Sequence, residues 1–135
     1  MGEILEGEPN LIGITSLAAG ADQLFAHMVL VLGGSIEVIL PTPAYHETFS
    51  NLEDLAAYKS LLSQAVKTTI LPFPRPNEEA FMAAGRAVVD QSNRLIAVWD
   101  GYPAHGLGGT ADVVAYARQR GVPVAVIWPE GATRD

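Results

Sequence analysis

The chain contains no cysteine, and only 8 of its 135 residues are Lys or Arg, against 15 Asp and Glu. Without cysteine, disulfide bonds, thiolate zinc sites and cysteine nucleophiles are excluded. The formal net charge of -7 argues against duplex nucleic acid as a partner, because such binding needs clustered basic side chains. A small anionic ligand is still compatible with this charge, since backbone N–H groups can hold one.

The sequence also lacks a long apolar run and a signal peptide. No apolar segment approaches the roughly 20 residues that cross a bilayer, and the start, MGEILEGEPN, is acidic. We therefore expect a cytoplasmic protein that does not bind a membrane. Hydrophobic residues make up 49% of the chain and charged residues 17%, which is typical of a folded domain. The length favours one domain over residues 1–135.

Short apolar segments alternate with helical patterns along the chain. Strands are expected at Leu11–Thr15, Ser35–Leu40, Thr68–Leu71, Leu95–Trp99 and Pro123–Trp128. Helices are expected at Ala21–Leu32, Asn51–Val66, Glu78–Asp90 and Thr110–Arg120. This alternation predicts an α/β fold, a Rossmann-like three-layer domain with a mainly parallel sheet of about five strands and helices on both faces.

Capping residues and apolar spacing give the predicted helices more detail. Asn77 is expected to cap the third helix, and glycines at Gly33-Gly34 and Gly121 are expected to end the first and fourth. The inner face of the second helix is expected to contain its regularly spaced apolar residues, which are Leu52, Leu55, Ala56, Leu62 and Ala65.

Ligands of parallel sheets bind beyond the carboxyl ends of the strands. Four loops leave that edge in the predicted fold, at residues 16–20, 41–50, 72–77 and 100–109, and they are rich in Gly, Pro, Ser or other small residues. Their only Lys or Arg is Arg75. A bound phosphate would therefore depend mainly on backbone N–H groups.

The most informative stretch is LIAVWDGYPAHGLGGTADVV, from Leu95 to Val114. A predicted strand ends at Asp100-Gly101, and three glycines, Gly106, Gly108 and Gly109, come before a predicted helix at Thr110. Glycine allows the backbone to approach a ligand, and the free N–H groups of a helix start attract an anion. The stretch predicts a phosphate-binding loop; the alternative is an ordinary loop with Thr110 as the N-cap.

Two segments together resemble the SLOG superfamily, named after the Smf (DNA-processing) and LOG proteins. The first segment is Gly20-Ala21-Asp22, after the first predicted strand. The second segment has two parts, Leu95–Gly101 and Gly106–Thr110. The nearest-looking branch carries SLAxGAD and WDG…GLGGT segments. The resemblance covers about Leu11 to Trp128. It implies a Rossmann-like fold that binds nucleotides or nucleotide-like ligands, as an enzyme or as a sensor.

Two features depart from that pattern. Members of this kind usually have a further strand, with a glycine-containing loop, before the SLAxGAD segment. Here that strand and part of a ligand pocket are expected to be missing, and the alternatives are a fragment, a natural short form or a chain that completes its pocket with a partner. LOG enzymes carry PGGxGTxxE with a catalytic glutamate, and the matching position here is Val113, with Asp112 one residue earlier. One residue rotates a side chain by about 100° around a helix. The LOG arginine has no clear counterpart, although Arg86 is nearby.

Several residues have both a functional and a structural interpretation. Asp22 and Asp112 either contact the ligand, with a catalytic role as acid-base groups, or favour the helix dipole. Ser16 either donates to a phosphate or closes a turn, and Asp100 either lines the pocket with Gly101 or satisfies loop amides. His27 is expected to be structural, whereas His46 and His105 lie in edge loops without an identifiable acid-base partner.

Histidines are potential metal ligands, and tyrosines and tryptophans are residues that can stack on a base. The three histidines have no spacing typical of a metal site, so no metal is predicted. Tyr45 and Tyr102 are the candidates for stacking on a base, while Trp99 and Trp128 are expected to pack in the sheet. A nucleotide ligand is expected, and no other cofactor is predicted.

Three functions fit these residues. The first is a non-catalytic nucleotide-binding module, a sensor or carrier. The second is a phosphoribohydrolase that cleaves the N-glycosidic bond of a nucleoside monophosphate, with Asp112 or Asp22 as the acid-base group. The third is a scaffold whose glycine loop is a relic. A sheet without its first strand would expose an edge, so a homo-oligomer is expected.

Overall fold

Strands and helices alternate along the chain as expected for an α/β protein. The computed structural model describes residues 10–98 and 110–127. Within them the chain forms five strands and four α-helices. It divides into two units, Met1–Pro76 and Asn77–Asp135, each of which contains its own parallel sheet.

The first unit contains a three-stranded parallel sheet. Its strands are β1 (Ile12–Thr15), β2 (Ser35–Leu40) and β3 (Lys67–Ile70), in the spatial order β1-β2-β3. Thr15 at the end of β1 is paired with Val38, and Leu40 at the end of β2 is paired with Ile70. Because all three strands run in the same direction, their carboxyl ends lie at one edge of this sheet.

Two α-helices and one short 3-10 helix belong to the first unit. They are α1 (Ala21–Val31), the 3-10 helix Tyr45–Thr48 and α2 (Leu52–Ser63). Helix α1 lies close against β1, since a Cβ atom at Gly13 would be 2.8 Å from Cγ2 of Val29. Glycine at position 13 allows this approach, which brings the C-terminal part of α1 against β1. Leu17, Ile36, Val38 and Ile39 are almost completely buried in this unit.

Helix α2 differs from its predicted form in length and in orientation. It ends at Ser63, three residues before Val66, because the Val66 N–H donates to the Ile36 carbonyl at 2.9 Å and joins the sheet ladder. The predicted inner face is wrong at Leu52, which is 82% exposed, and at Ala56, which is also exposed. The buried residues are Tyr58 and Leu61 instead.

The second unit contains a two-stranded sheet and two helices. Its elements are α3 (Glu78–Asp90), β4 (Leu95–Val98), α4 (Thr110–Gln119) and β5 (Val124–Ile127). Strands β4 and β5 are parallel, with Leu95 opposite Val124. Helices α3 and α4 touch closely at Gly85, where an added Cβ would be 2.6 Å from Cγ2 of Val113.

The predicted caps are confirmed. The Asn77 side chain accepts a hydrogen bond from the Ala80 N–H at 2.9 Å at the start of α3. Asn51, which was not predicted as a cap, accepts from the Asp54 N–H at 2.8 Å at the start of α2. Gly33 and Gly121 have φ angles of 82° and 74°, the left-handed conformation that glycine adopts after a helix.

The predicted fold class is confirmed as α/β with parallel strands. The described strands are hydrogen-bonded as one sheet of three and one of two, rather than as the single sheet of about five strands that was expected. The single-domain assignment stays a prediction. Within the described ranges, no helix has the length and apolar character needed to cross a membrane.

Candidate functional site

The turn between β1 and α1 is the best-defined candidate site in the first unit. β1 ends at Thr15, and α1 begins at Ala21 after a turn of small residues. Gly20 is the N-cap and has a φ angle of 88° and a ψ angle of -120°, a conformation that is essentially restricted to glycine. It offers no side-chain hydrogen bond to α1, whereas Asn51 and Asn77 cap α2 and α3.

Asp22, in the first turn of α1, points its carboxyl group back into this turn. Its Oδ2 accepts a hydrogen bond from the Ala18 N–H at 3.2 Å. The Thr15 hydroxyl is a second hydrogen-bonding partner of the carboxyl. Oγ1 of Thr15 in turn accepts from the Leu17 N–H at 3.1 Å, so its own proton is available for Asp22. The carboxyl therefore joins the end of β1, the turn and the helix.

The pKa of Asp22 is raised above its usual range. The main cause is desolvation by burial, and the hydrogen bonds from Ala18 and Thr15 oppose it without cancelling it. The residue as a whole is half-buried, but enough protein surrounds the carboxyl for desolvation to dominate. No cation is among the groups that shift this pKa. Asp22 is therefore a carboxyl group that binds its proton more tightly than an exposed one.

Leu17 lies at the centre of the turn in an uncommon conformation. Its φ angle is 58°, in the left-handed region that bulky side chains rarely occupy, and its side chain is fully buried. Two side chains hold its backbone: Thr15 accepts from its N–H, and Gln23 donates to its carbonyl at 3.3 Å. The turn is therefore a strained structure that its neighbours stabilise.

Three aromatic rings lie after β2 and on α2. The ring of Tyr45 meets the rings of Phe49 and Tyr58 edge to face, with both centroid distances at 5.7 Å. Phe49 stacks on Tyr58 at 4.8 Å. Tyr45 is only 4% exposed, which leaves its ring no open face for a base and argues against the predicted stacking role.

Tyr45 is also electrostatically connected to the turn. Burial raises its pKa, and the nearby negative charge of Asp22 raises the pKa further, with a smaller contribution from Tyr58. Asp22 and Tyr45 are thus two acids in poorly solvated surroundings, and the charge of Asp22 disfavours ionisation of Tyr45.

The sequence-predicted site residues fall into three groups. Ser16, Gly20, Ala21 and Asp22 are brought together in the β1–α1 turn. Thr110 begins α4, and Asp112 is half-buried in its first turn. Asp100, Gly101, Gly106, Gly108 and Gly109 lie outside the described residues, as do His105 and Tyr102. The phosphate-loop assignment therefore stays a prediction.

Two of the three histidines, His27 and His46, lie within the described residues. His27 on α1 and His46 in the 3-10 helix are both exposed. Across residues 10–98 and 110–127, no group of three or more His, Asp or Glu side chains is arranged to hold a metal ion.

A polar cluster in the second unit was not predicted. The Tyr116 hydroxyl on α4 donates to Oδ1 of Asp90 on α3 at 2.7 Å. The Arg120 Nε lies 3.5 Å from the same oxygen, and the guanidinium groups of Arg86 and Arg120 lie 5.5 Å and 5.9 Å from the Tyr116 ring centre. The helical spacing of Arg86 with Asp90, and of Tyr116 with Arg120, is the sequence signal for this cluster.

Two contributors to the candidate site were also missed. Thr15 was assigned only to a strand, and Gln23 only to a helix, although each holds the backbone of Leu17. Polar residues that flank a short turn at a carboxyl edge are the signal that could have found them.

Comparison of the chain with protein-family models and with curated proteins found no match.

Proposed function

We propose that this protein is a cytoplasmic module that binds a nucleotide or nucleotide-derived ligand, as a sensor or carrier. The observation that carries the proposal is the buried carboxyl group of Asp22 in the β1–α1 turn, at the carboxyl ends of parallel strands. Perturbed carboxyl groups in such places are enriched at functional sites, because binding and catalysis use groups whose pKa differs from that of an exposed side chain.

The chemistry of the turn fits a ligand with both hydroxyl groups and a phosphate. A carboxyl group can accept hydrogen bonds from ribose hydroxyls, as acidic residues do in dinucleotide-binding folds. Gly20 leaves the start of α1 without a side-chain cap, which favours an anion at its free N–H groups. Ser16 adds a hydroxyl group in the same turn.

The glycine-rich loop from Gly106 to Thr110 is part of the proposal on sequence grounds. The proposal also includes membership of the SLOG superfamily and one Rossmann-like sheet of about five strands. The supporting features are the two sequence segments that resemble SLOG proteins, the parallel strands of both sheets and the strict alternation of strands and helices.

Thermal unfolding in the presence of AMP, GMP, CMP or UMP tests this proposal. We expect at least one of them to raise the Tm in a concentration-dependent way, because a ligand of the native state stabilises it. Gly109→Asp, which places a negative charge in the proposed phosphate loop, should abolish the shift. Ser60→Asp, which adds the same charge on the exposed side of α2, is the matched control.

Some outcomes would contradict the proposal. If no nucleotide shifts the Tm at millimolar concentration, nucleotide binding is wrong. If Gly109→Asp binds as well as the unmodified protein, binding is not at the glycine-rich loop.

The raised pKa of Asp22 also favours a second function, a phosphoribohydrolase. A carboxyl group whose pKa is raised by burial holds its proton more tightly than an exposed one, which suits a general acid toward the leaving base. Release of free base from nucleoside monophosphates measures this activity. If Asp22 is the general acid, base release should disappear in Asp22→Asn. If Asp112 is the general acid, it should disappear in Asp112→Asn. Binding without base release favours the sensor or carrier.

A third function, an oligomeric scaffold, is favoured by the surface of β3. Ile70 in this edge strand is 53% exposed, and Val66, the residue before the strand, is 66% exposed. A homo-oligomer without nucleotide binding would support it, and the molar mass from light scattering is the measurement.

A further inference from the structure

Gln23 is the one side chain in the described residues that is seen to join the β1–α1 turn to the start of α2. Its Nε2 donates to the Leu17 carbonyl at 3.3 Å and to the Asp54 carbonyl at 3.1 Å. Asp54 lies in the first turn of α2, 31 residues further along the chain. A single amide group therefore connects two segments that are distant in sequence.

The chemistry of these contacts requires a donor. Both partners of Gln23 are backbone carbonyls, and a primary amide has two N–H groups that can satisfy one acceptor each. A carboxylate of the same shape would place its negative charge against two carbonyl oxygens. A thioether of similar size would fill the space and leave both carbonyls without this donor.

The hydrogen bond to the Leu17 carbonyl stabilises an unfavourable backbone conformation. Leu17 has a φ angle of 58° and is fully buried, and its N–H is held by Thr15. A bulky residue keeps such a conformation only when its surroundings determine it. With the carbonyl released, the turn can relax, which would displace Ser16 on one side and the Ala18 N–H that binds Asp22 on the other.

We propose that Gln23 is a positioning residue of the nucleotide site: its amide holds Leu17 in the left-handed conformation and so places Ser16 and Asp22 for the ligand. This inference rests on the proposed function. Gln23 itself does not need to touch the ligand, because it acts through the backbone of the turn.

Three substitutions separate the donor from the shape of the side chain. Gln23→Met keeps the length without a donor, Gln23→Glu keeps the shape but offers an acceptor, and Gln23→Lys keeps a donor. All of these residues are good helix formers, so α1 should persist. Gln64→Met is the matched control, since Gln64 also donates from Nε2 to a carbonyl, that of Ser60 at 3.2 Å, on the exposed end of α2.

The first measurement needs no ligand. Amide hydrogen exchange at Leu17 and Ala18 should become about tenfold faster in Gln23→Met and Gln23→Glu, because the turn opens more often. Exchange should be nearly unchanged in Gln23→Lys and in Gln64→Met. Unchanged exchange in all three Gln23 variants would show that the amide does not hold the turn, and would overturn the inference.

The second measurement is AMP affinity by calorimetry, with GMP, CMP and UMP in parallel. We expect about tenfold weaker binding in Gln23→Met and Gln23→Glu, the loss expected for one or two hydrogen bonds. Affinity should be recovered in Gln23→Lys and unchanged in Gln64→Met. Faster exchange with unaltered affinity would make Gln23 a structural residue only, and would also overturn the inference.

The two proposals fail differently. If the unmodified protein binds none of the four nucleotides, the proposed function is wrong and the positioning role falls with it, whatever the exchange data show. If it binds but the Gln23 variants bind equally well, only the positioning role is wrong. Circular dichroism checks that each variant is folded, and Gln23→Glu and Gln23→Lys decide the question if Gln23→Met is not.

Discussion

Each unit holds one carboxyl group against a hydroxyl group, but in opposite surroundings. In the first unit Asp22 faces Thr15 in a poorly solvated turn, and no cation contributes to its pKa. In the second unit Asp90 accepts from Tyr116 and lies beside Arg120, with 42% of its side chain and 59% of that of Arg120 exposed. The exposed group has a guanidinium beside it to compensate its charge, whereas no cation is among the causes of the pKa shift of the buried group.

This difference shows which carboxyl group carries functional information. Exposed ion pairs contribute little to stability and are common on protein surfaces. A buried carboxyl group without a cation destabilises the fold whenever it ionises, so its presence calls for another reason. The contrast favours Asp22 over Asp90 as a functional residue, and four substitutions test it, from the largest expected effect to the smallest.

Thr15→Val should have the largest effect. It removes the hydroxyl that accepts from the Leu17 N–H and that bonds to Asp22, in a side chain that is 4% exposed. Loss of a buried hydrogen-bond partner costs about 1–3 kcal/mol, and two groups lose a partner here, so we expect the upper end of that range in urea unfolding. Thr15→Ser should retain most of the stability.

Thr68→Val provides the control for Thr15→Val. Thr68 is exposed on β3, so the same exchange should leave the free energy of unfolding nearly unchanged. Equal losses at Thr15 and Thr68 would mean that the buried turn depends on its hydroxyl no more than an exposed strand does.

Gly85→Ala should have the next largest effect and asks what holds the second unit. The added Cβ would lie 2.6 Å from Cγ2 of Val113, a branched side chain that cannot easily move away. Overpacking costs about 1–3 kcal/mol, and the higher helix propensity of alanine returns about 1 kcal/mol, so a net loss is expected. Arg86→Ala, at the next position in α3, removes one member of the polar cluster and is the comparison variant.

A double-mutant cycle sharpens the Gly85 test. If the contact with Val113 is the cause, Gly85→Ala and Val113→Ala together should be more stable than the sum of the single changes implies. Strict additivity would place the cause elsewhere. A loss from Arg86→Ala as large as that from Gly85→Ala would show that the polar cluster, rather than close packing, holds α3 to α4.

Asp22→Asn should alter stability in a pH-dependent way. The folded pKa of Asp22 is raised, so the native state binds its proton more tightly than the unfolded state, whose pKa is near 3.8. Ionisation then destabilises the fold as pH rises through the folded pKa, and this cost stays present above it. The amide does not ionise, so the variant should gain stability relative to the unmodified protein as pH rises from about 3.

Chemical denaturation at a series of pH values measures this difference. Glu53→Gln, in the exposed first turn of α2, controls for the loss of one negative charge. A more stable Asp22→Asn protein that binds nucleotide poorly would show that the carboxyl is kept for function rather than for stability. If the stability of Asp22→Asn falls relative to that of the unmodified protein as pH rises, the raised pKa of Asp22 is contradicted.

The sequence predicted the elements of this fold better than their pairing. Alternation, glycine caps and Asn77 determine where helices begin and end, because these signals act over a few residues. The end of α2 was misjudged because Val66 pairs with Ile36, a contact from a distant strand. The inner face of α2 was misjudged because Leu52 is exposed while Tyr58 packs on other aromatic rings.

The candidate site was predicted in part for a similar reason. Gly20-Ala21-Asp22 could be found because glycine and an acidic residue at a helix start form a local pattern. The roles of Thr15 and Gln23 depend on the left-handed conformation of Leu17, which no pattern around a leucine indicates. The stacking role of Tyr45 failed because its burial depends on Phe49 and Tyr58 together.

Tyr116→Phe should have the smallest effect and completes the comparison. It removes the exposed hydrogen bond to Asp90 and leaves the ring beneath the guanidinium groups. That hydrogen bond is the main cause of the raised pKa of Tyr116, so its stabilising contribution is present below pH 10 and is lost as pH rises through the folded pKa. The difference between Tyr116→Phe and the unmodified protein should therefore be small at neutral pH and should vanish in alkali. If it equals the loss from Thr15→Val, burial does not distinguish the two carboxyl groups, and the case for Asp22 must come from ligand binding alone.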